Sequence, residues 1–151
     1  MNEDFVTFEL AKKLKEKGFK QKCLAYYDVE DNVGLLYNTQ YTDEALPCQY
    51  TDLLQCHNTG EAETQPDDSG FCVDAPTIFQ VLKWLREEKK IHICIDIYDD
   101  GWFFDIASFY KGDTGVYEIE WPYKSSNVTP NYDSFEQAAI AGIEYCLDNL
   151  I

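Results

Sequence analysis

Asp96, Asp99, Asp100 and Asp105 crowd four carboxylates into ten residues around the dipeptide Asp100-Gly101. Asp-Gly favours a two-residue hairpin loop, because both residues tolerate positive φ. With that loop, Asp99 faces Trp102, Ile97 faces Phe104, Ile95 faces Ile106 and Asp96 faces Asp105. Like charges directly opposed on a strand pair repel. The repulsion is relieved by a raised carboxyl pKa or by a bound cation. Asp96, Asp99 and Asp105 would then offer oxygen ligands to a divalent ion. Alternatively, Asp96 and Asp105 would be the acid–base pair of a small enzyme. The competing reading is a solvated face with a lysine between the two aspartates, and a one-residue change of register removes the pair.

Other chemistry is thinner. Cys48, Cys56, His57 and Cys72 offer three sulfurs and one nitrogen, a zinc-type set. Structural zinc sites usually pair ligands roughly two to four residues apart, and no Cys-x-x-Cys occurs here. These residues read as loop cysteines packed against a core. His57 and His92 are the two histidines, and no motif frames a Cys–His nucleophilic pair around either. There is no glycine-rich phosphate loop, serine-nucleophile elbow or metalloprotease helix. No cofactor is expected.

The charge pattern is more informative. Residues 23–82 hold no lysine or arginine and eleven acids, and the whole chain is formally −16. Such a chain repels nucleic acid and anionic membrane and attracts cationic partners. The strands present Asp96, Asp105, Glu118 and Glu120, and the helices present Glu136, Glu144 and Asp148. A rigid array of these would mimic the phosphates of duplex DNA, which carries one charge per roughly 1.7 Å. The plainer reading is solubility.

These side chains are positioned by recognisable elements. Residues 7–17 form a helix with Thr7 as N-cap, Leu10, Ala11 and Leu14 as its apolar stripe, and Gly18 as its stop. Its lysines form a solvated face and suit the C-terminal end of the helix dipole. Strands follow at 22–28 and 33–37, with Gly34 as a possible bulge. Residues 38–73 show no sustained periodicity; a short helix near 49–56 and an exposed tip at 58–70 are expected there. Residues 77–89 form the clearest helix, with Thr77 and Gln80 in capping-box spacing. Ile91, Ile93, Ile95 and Ile97 alternate along a strand, Trp102 to Phe109 return, and 116–121 add a third strand. Residues 134–150 close the chain as a helix capped by Ser134 and Gln137, or Asp133 and Glu136. Its Ala138, Ala139, Ala141 and Gly142 allow close approach to a sheet.

Tight turns between successive strands imply an antiparallel sheet. The expected fold is α+β: about five strands, including the 91–121 meander, with about three helices on one face. The chain fits one domain, residues 1–151, with a variable insertion at 38–73. The acidic N-terminus does not read as a secretory signal, and no run approaches the roughly 18 apolar residues of a membrane helix. A cytoplasmic location is expected, with the six cysteines free rather than bridged. The sequon at Asn127-Val128-Thr129 is then accidental.

Three stretches carry a resemblance: Ala75-Pro76-Thr77 running into Lys83 to Glu88, Ile91-His92-Ile93, and Tyr132 to Ile151. Together they resemble a group of small proteins of unknown function from gut Bacteroidales, often encoded near prophage or other mobile elements. The resemblance covers the first helix and everything from residue 75 onward. Its matched residues are caps and core positions, so it implies fold and carries over no functional residue.

The sequence therefore reads as a non-enzymatic accessory protein that binds a basic protein, with no direct contact to nucleic acid or membrane. Asp96, Asp105, Glu118, Glu120, Trp102 and Trp121 are the expected contact residues, and Tyr41, Tyr50 and Tyr123 are further candidate anchors. The metal-dependent or acid–base enzyme at Asp96 and Asp105 is the alternative.

Overall fold

The computed structural model of the chain describes residues 5–21, 23, 25–28, 34–37, 72–125 and 131–151. The expected helix at 49–56, the tip at 58–70, and Tyr41, Cys48, Tyr50, Cys56 and His57 lie outside those residues. The chain divides into two compact units, one of residues 4–77 and one of residues 78–151.

In the first unit, helix α1 (Phe8–Glu16) begins where Thr7 accepts a hydrogen bond from Leu10 N. It ends in a Schellman motif: Gly18 N donates to Lys15 O at 3.1 Å and Phe19 N to Leu14 O at 2.9 Å. The motif needs a left-handed residue, and Gly18 has φ 85. Leu14 and Phe19 are both fully buried and close the helix end as a hydrophobic latch. Strands β1 (Ala25–Asp28), β2 (Gly34–Tyr37) and β3 (Cys72–Ala75) form an antiparallel sheet in the order β2-β1-β3. The β1–β2 register runs without a bulge through Asp28 and Gly34. The α1 helix packs on β3, and Tyr27 Oη donates to Val6 O at 2.6 Å.

The second unit contains α2 (Ile78–Glu88), β4 (Ile91–Tyr98), β5 (Gly101–Lys111), β6 (Tyr117–Tyr123) and α3 (Phe135–Asn149). Thr77, just before α2, bridges Phe5 within the first unit. The α2 helix stops at Lys90, whose φ of 59 is left-handed and whose Nζ donates to Glu87 O at 2.6 Å. The sheet is a β4-β5-β6 meander. Ile91, Ile93 and Ile95 share one face with Phe104 and Ile106, and α2 and α3 pack there. Ser134 caps α3 by accepting from Gln137 N at 3.2 Å, and Gln137 Oε1 accepts from Asp133 N at 3.1 Å. The small residues Ala138, Ala139 and Gly142 are buried.

The chain is thus α+β with antiparallel sheets and three helices among the described residues. Among the described residues the strands form two sheets of three, where the sequence led to a single sheet of about five. The strand not expected is Cys72–Ala75, which begins at the end of the 38–73 stretch expected to be irregular. Four residues ending before a proline carry little strand periodicity, yet they supply the second neighbour of β1.

Gly142 lies where α3 comes closest to the sheet. A Cβ there would sit 2.9 Å from Ile93 Cγ2 and 3.3 Å from the Phe104 ring. Overpacking of this kind costs about 1–3 kcal/mol. Gly142→Ala is expected to lower unfolding stability by that amount in urea titration, despite alanine's better helix propensity.

Asp74 is the buried charged residue among the described residues of the first unit. It is 1% exposed, and its Oδ1 has no hydrogen-bond partner among the described residues. Burial pushes its carboxyl up to about 7, against a smaller opposing pull from Lys15. Burial, and then the Asp74 charge, also push up the neighbouring Cys23 thiol. Below about pH 4 the Asp74 carboxyl is neutral in both folded and unfolded chains. Between that pH and 7 the unfolded chain loses its proton while the fold retains it. Its contribution to stability therefore falls as pH rises through this window and levels off above it. Asp74→Asn is expected to abolish the fall, gaining up to about 4 kcal/mol over wild type between pH 4.5 and 8 in urea unfolding.

Candidate functional site

The site is built on the sheet face of the second unit that carries no helix among the described residues. Along β4 this face takes His92, Cys94, Asp96 and Tyr98; along β5 it takes Phe103, Asp105, Ala107 and Phe109. The β6 residues Tyr117 and Ile119 join it opposite Lys111 and Phe109. Between Ile106 and Ser108 the β5–β6 register shifts, so that Trp121 and Pro122 together face Ala107. A bulge accommodates the proline, which has no N–H to offer the ladder. It also restores Tyr123 to the helix-covered face, where its ring lies 4.9 Å from Phe104 and 4.7 Å from Tyr145. Tyr123 is therefore part of the packed side of the sheet rather than an anchor on the open face.

The open face holds a shallow groove of about 500 Å³. Its floor is Cys94, Ala107 and Phe109, its far wall is Tyr117, Ile119 and Trp121, and Arg86 and His92 close the β4 side. The wall is not a buried core: Tyr117 is 63% exposed, Ile119 59% and Trp121 45%. Phe109 meets Tyr117 edge-on at 6.1 Å, and Lys124 Nζ stands 4.7 Å over the Trp121 ring. These side chains form a contiguous exposed apolar row along β6 and β5.

The hairpin register differs from the sequence expectation. Tyr98 pairs with Gly101, so the loop is Asp99-Asp100 rather than Asp100-Gly101. Asp96 faces Phe103, and Asp105 faces Cys94. The two aspartates remain on one face but are diagonal, not opposed. The reason lies in Gly101. Its φ is 138, and a Cβ there would meet Tyr132 O at 2.7 Å. Trp102 and Tyr132 exchange two backbone hydrogen bonds of 2.8 Å. The glycine thus admits a neighbouring backbone, a role distinct from turn formation.

Each aspartate has a local task. Asp96 Oδ1 accepts from Ile97 N at 2.8 Å. Asp105 Oδ1 accepts from Ser125 N at 2.6 Å and Ser125 Oγ at 2.9 Å, tying down the chain after β6. Among the described residues no group of three His, Cys, Asp or Glu side chains is placed to hold a metal ion. The opposed pair on which the metal and acid–base readings rested is not formed. Burial, and then Asp105, push the Cys94 thiol up, which disfavours a thiolate nucleophile beside His92.

The other expected contact residues divide between faces. Trp121 belongs to the open face. Glu118 and Glu120 pair with Tyr110 and Ser108 on the opposite side, and Glu118 Oε2 accepts from Tyr110 Oη at 2.6 Å. Trp102 also lies opposite, edge-on to Phe135 at 5.7 Å. The four strand carboxylates therefore do not form one array. Phe109, Tyr117 and Ile119 were not among the expected contacts. Their signal is the alternation of β6, which places Tyr117, Ile119 and Trp121 on one face against Glu118 and Glu120 on the other.

Removing the clamp separates a structural from a ligating role for Asp105. Asp105→Ala is expected to cost about 1.5–3 kcal/mol, the range for hydrogen bonds to a charged group. Asp96→Asn is expected to leave thermal unfolding nearly unchanged. Equal losses in both variants would contradict this assignment. Compared with known proteins, the chain matches no family model, no curated protein and no solved structure.

Proposed function

We propose that the chain is a non-catalytic binding protein that engages a basic protein through the open face of the β4-β5-β6 sheet. The observation that carries this reading is the exposed row Tyr117, Ile119 and Trp121 beside Phe109, on a sheet face without a helix. Aromatic side chains in such a position supply most of the energy of typical protein interfaces. Charge then selects the partner. The chain is formally −16, and Asp96 and Asp105 share the open face with the apolar row. A partner with apolar groups ringed by lysine or arginine complements both features, and its approach is accelerated by the long-range field.

No observation supports the acid–base or metal alternative, since its opposed carboxylates are diagonal and locally engaged. Phosphate mimicry by the strand acids is likewise disfavoured by their division between two faces.

The test is affinity capture from a lysate with the full chain as bait, run in parallel with Ile119→Lys. Wild type is expected to retain a basic protein that elutes as salt rises. Ile119→Lys is expected to lose it while changing unfolding stability by less than about 0.5 kcal/mol, as is usual for an exposed position. Capture that is indifferent to Ile119→Lys would refute the open face as the contact surface.

A further inference from the structure

The β4 strand is an edge whose features are complementary to themselves when reversed. We propose that two copies of the chain join through β4, antiparallel and centred on Cys94, into one continuous six-stranded sheet.

The hydrogen-bond phase of β4 sets the possible pairings. Phe109 N donates to Lys90 O at 3.0 Å, and these residues are directly opposed in the β4–β5 register. Residues alternate along an antiparallel ladder between hydrogen-bonded and non-bonded pairs. His92, Cys94, Asp96 and Tyr98 therefore direct their backbone groups to β5, while Ile91, Ile93, Ile95 and Ile97 direct theirs outward. The bond from Ile97 N to Asp96 Oδ1 agrees with this phase, and it opens when Ile97 pairs with a second copy, freeing the carboxylate. Among the described residues, β5 is the one strand beside β4. An eight-residue edge with outward donors and acceptors is a template for another strand. The β6 edge is poorer, since it carries Pro122 and a bulge.

Charge selects the occupant and the register. A second groove, of about 390 Å³, runs along this edge and is lined by Arg86, His92, Cys94 and Asp96 among others. The cationic and imidazole groups lie toward one end of the edge, and the carboxylate toward the other. A parallel copy would stack like groups. An antiparallel copy centred on Cys94 places each His92 opposite the other copy's Asp96, with Arg86 close to the same carboxylate. It also pairs Ile93 with Ile95, and Ile91 with Ile97, which is 59% exposed in the single chain. Only residues of the same phase meet, as backbone pairing requires. The two Cys94 residues then form a non-hydrogen-bonded pair with Cα atoms about 4.5 Å apart.

Net charge opposes this union, and that gives it a signature. At physiological ionic strength charges beyond about 8 Å are screened. Self-association through β4 should therefore strengthen with salt, whereas capture of a basic partner on the open face weakens. The two readings can fail independently.

The experiment is analytical ultracentrifugation of the full chain at low and high sodium chloride. A dimer of the 17.5 kDa chain is expected, favoured at high salt. His92→Glu and Asp96→Lys, both at exposed positions, are each expected to weaken dimerisation about tenfold, since every contact occurs twice. The double variant restores opposite charges and should recover it. Oxidation with diamide should give a Cys94–Cys94 link, identified by peptide mapping. A monomer at every salt concentration, a dimer unaffected by both single variants, or a double variant no better than the singles would overturn the proposal. Circular dichroism on each variant confirms that the fold is retained.

Discussion

The second unit depends on a backbone contact that only glycine permits. Tyr132 O approaches the Cα of Gly101 too closely for any side chain there, and the Trp102–Tyr132 hydrogen bonds hold it in place. That contact moves the hairpin loop to Asp99-Asp100. The register follows, and with it the neighbours of every side chain on β4 and β5. It also occupies the outer side of β5 where β6 has ended, so the sheet continues past the end of the third strand.

The chemistry of the face is a consequence of coverage. Strands β5 and β6 carry apolar residues on both sides: Phe104, Ile106 and Tyr123 on one, Ala107, Phe109, Ile119 and Trp121 on the other. Two helices cover one side, and Gly142 lets α3 settle directly on Ile93 and Phe104. The other side is left with its aromatic and aliphatic row in water. Leaving large apolar groups exposed forgoes roughly 1.5–3 kcal/mol apiece relative to burial. A folded chain tolerates this most readily where a partner completes the burial. The acids on the same face, Asp96 and Asp105, hold backbone groups in place and stand diagonal rather than opposed.

The first unit shows a different compromise. Asp74 is buried with one oxygen unpartnered among the described residues, next to a thiol that its charge disfavours from ionising. Its burial follows from strand geometry. Val73 and Ala75 are buried as well, so β3 is enclosed on both sides, and a polar residue in its middle has no solvent-facing position.

What the sequence determined by itself was local. Thr7, Gly18 and Ser134 mark helix ends because a cap is completed by atoms a few residues away. The isoleucines of β4 announce a strand and its two faces, because alternation is a property of the backbone alone. The charge of −16, and what it repels, can be read without coordinates. Tertiary structure decided the remainder. Asp100-Gly101 looks like a turn in isolation, but the chain brings Tyr132 against that glycine and spends its freedom on close approach. Tyr117, Ile119 and Trp121 look like core residues, and nothing in their spacing says that the helices settle on the other face. Cys72–Ala75 becomes a strand because β1 is there to pair with it. Register, coverage and pairing depend on which distant backbone arrives, and a sequence pattern records the periodicity of a segment but not the identity of its neighbour.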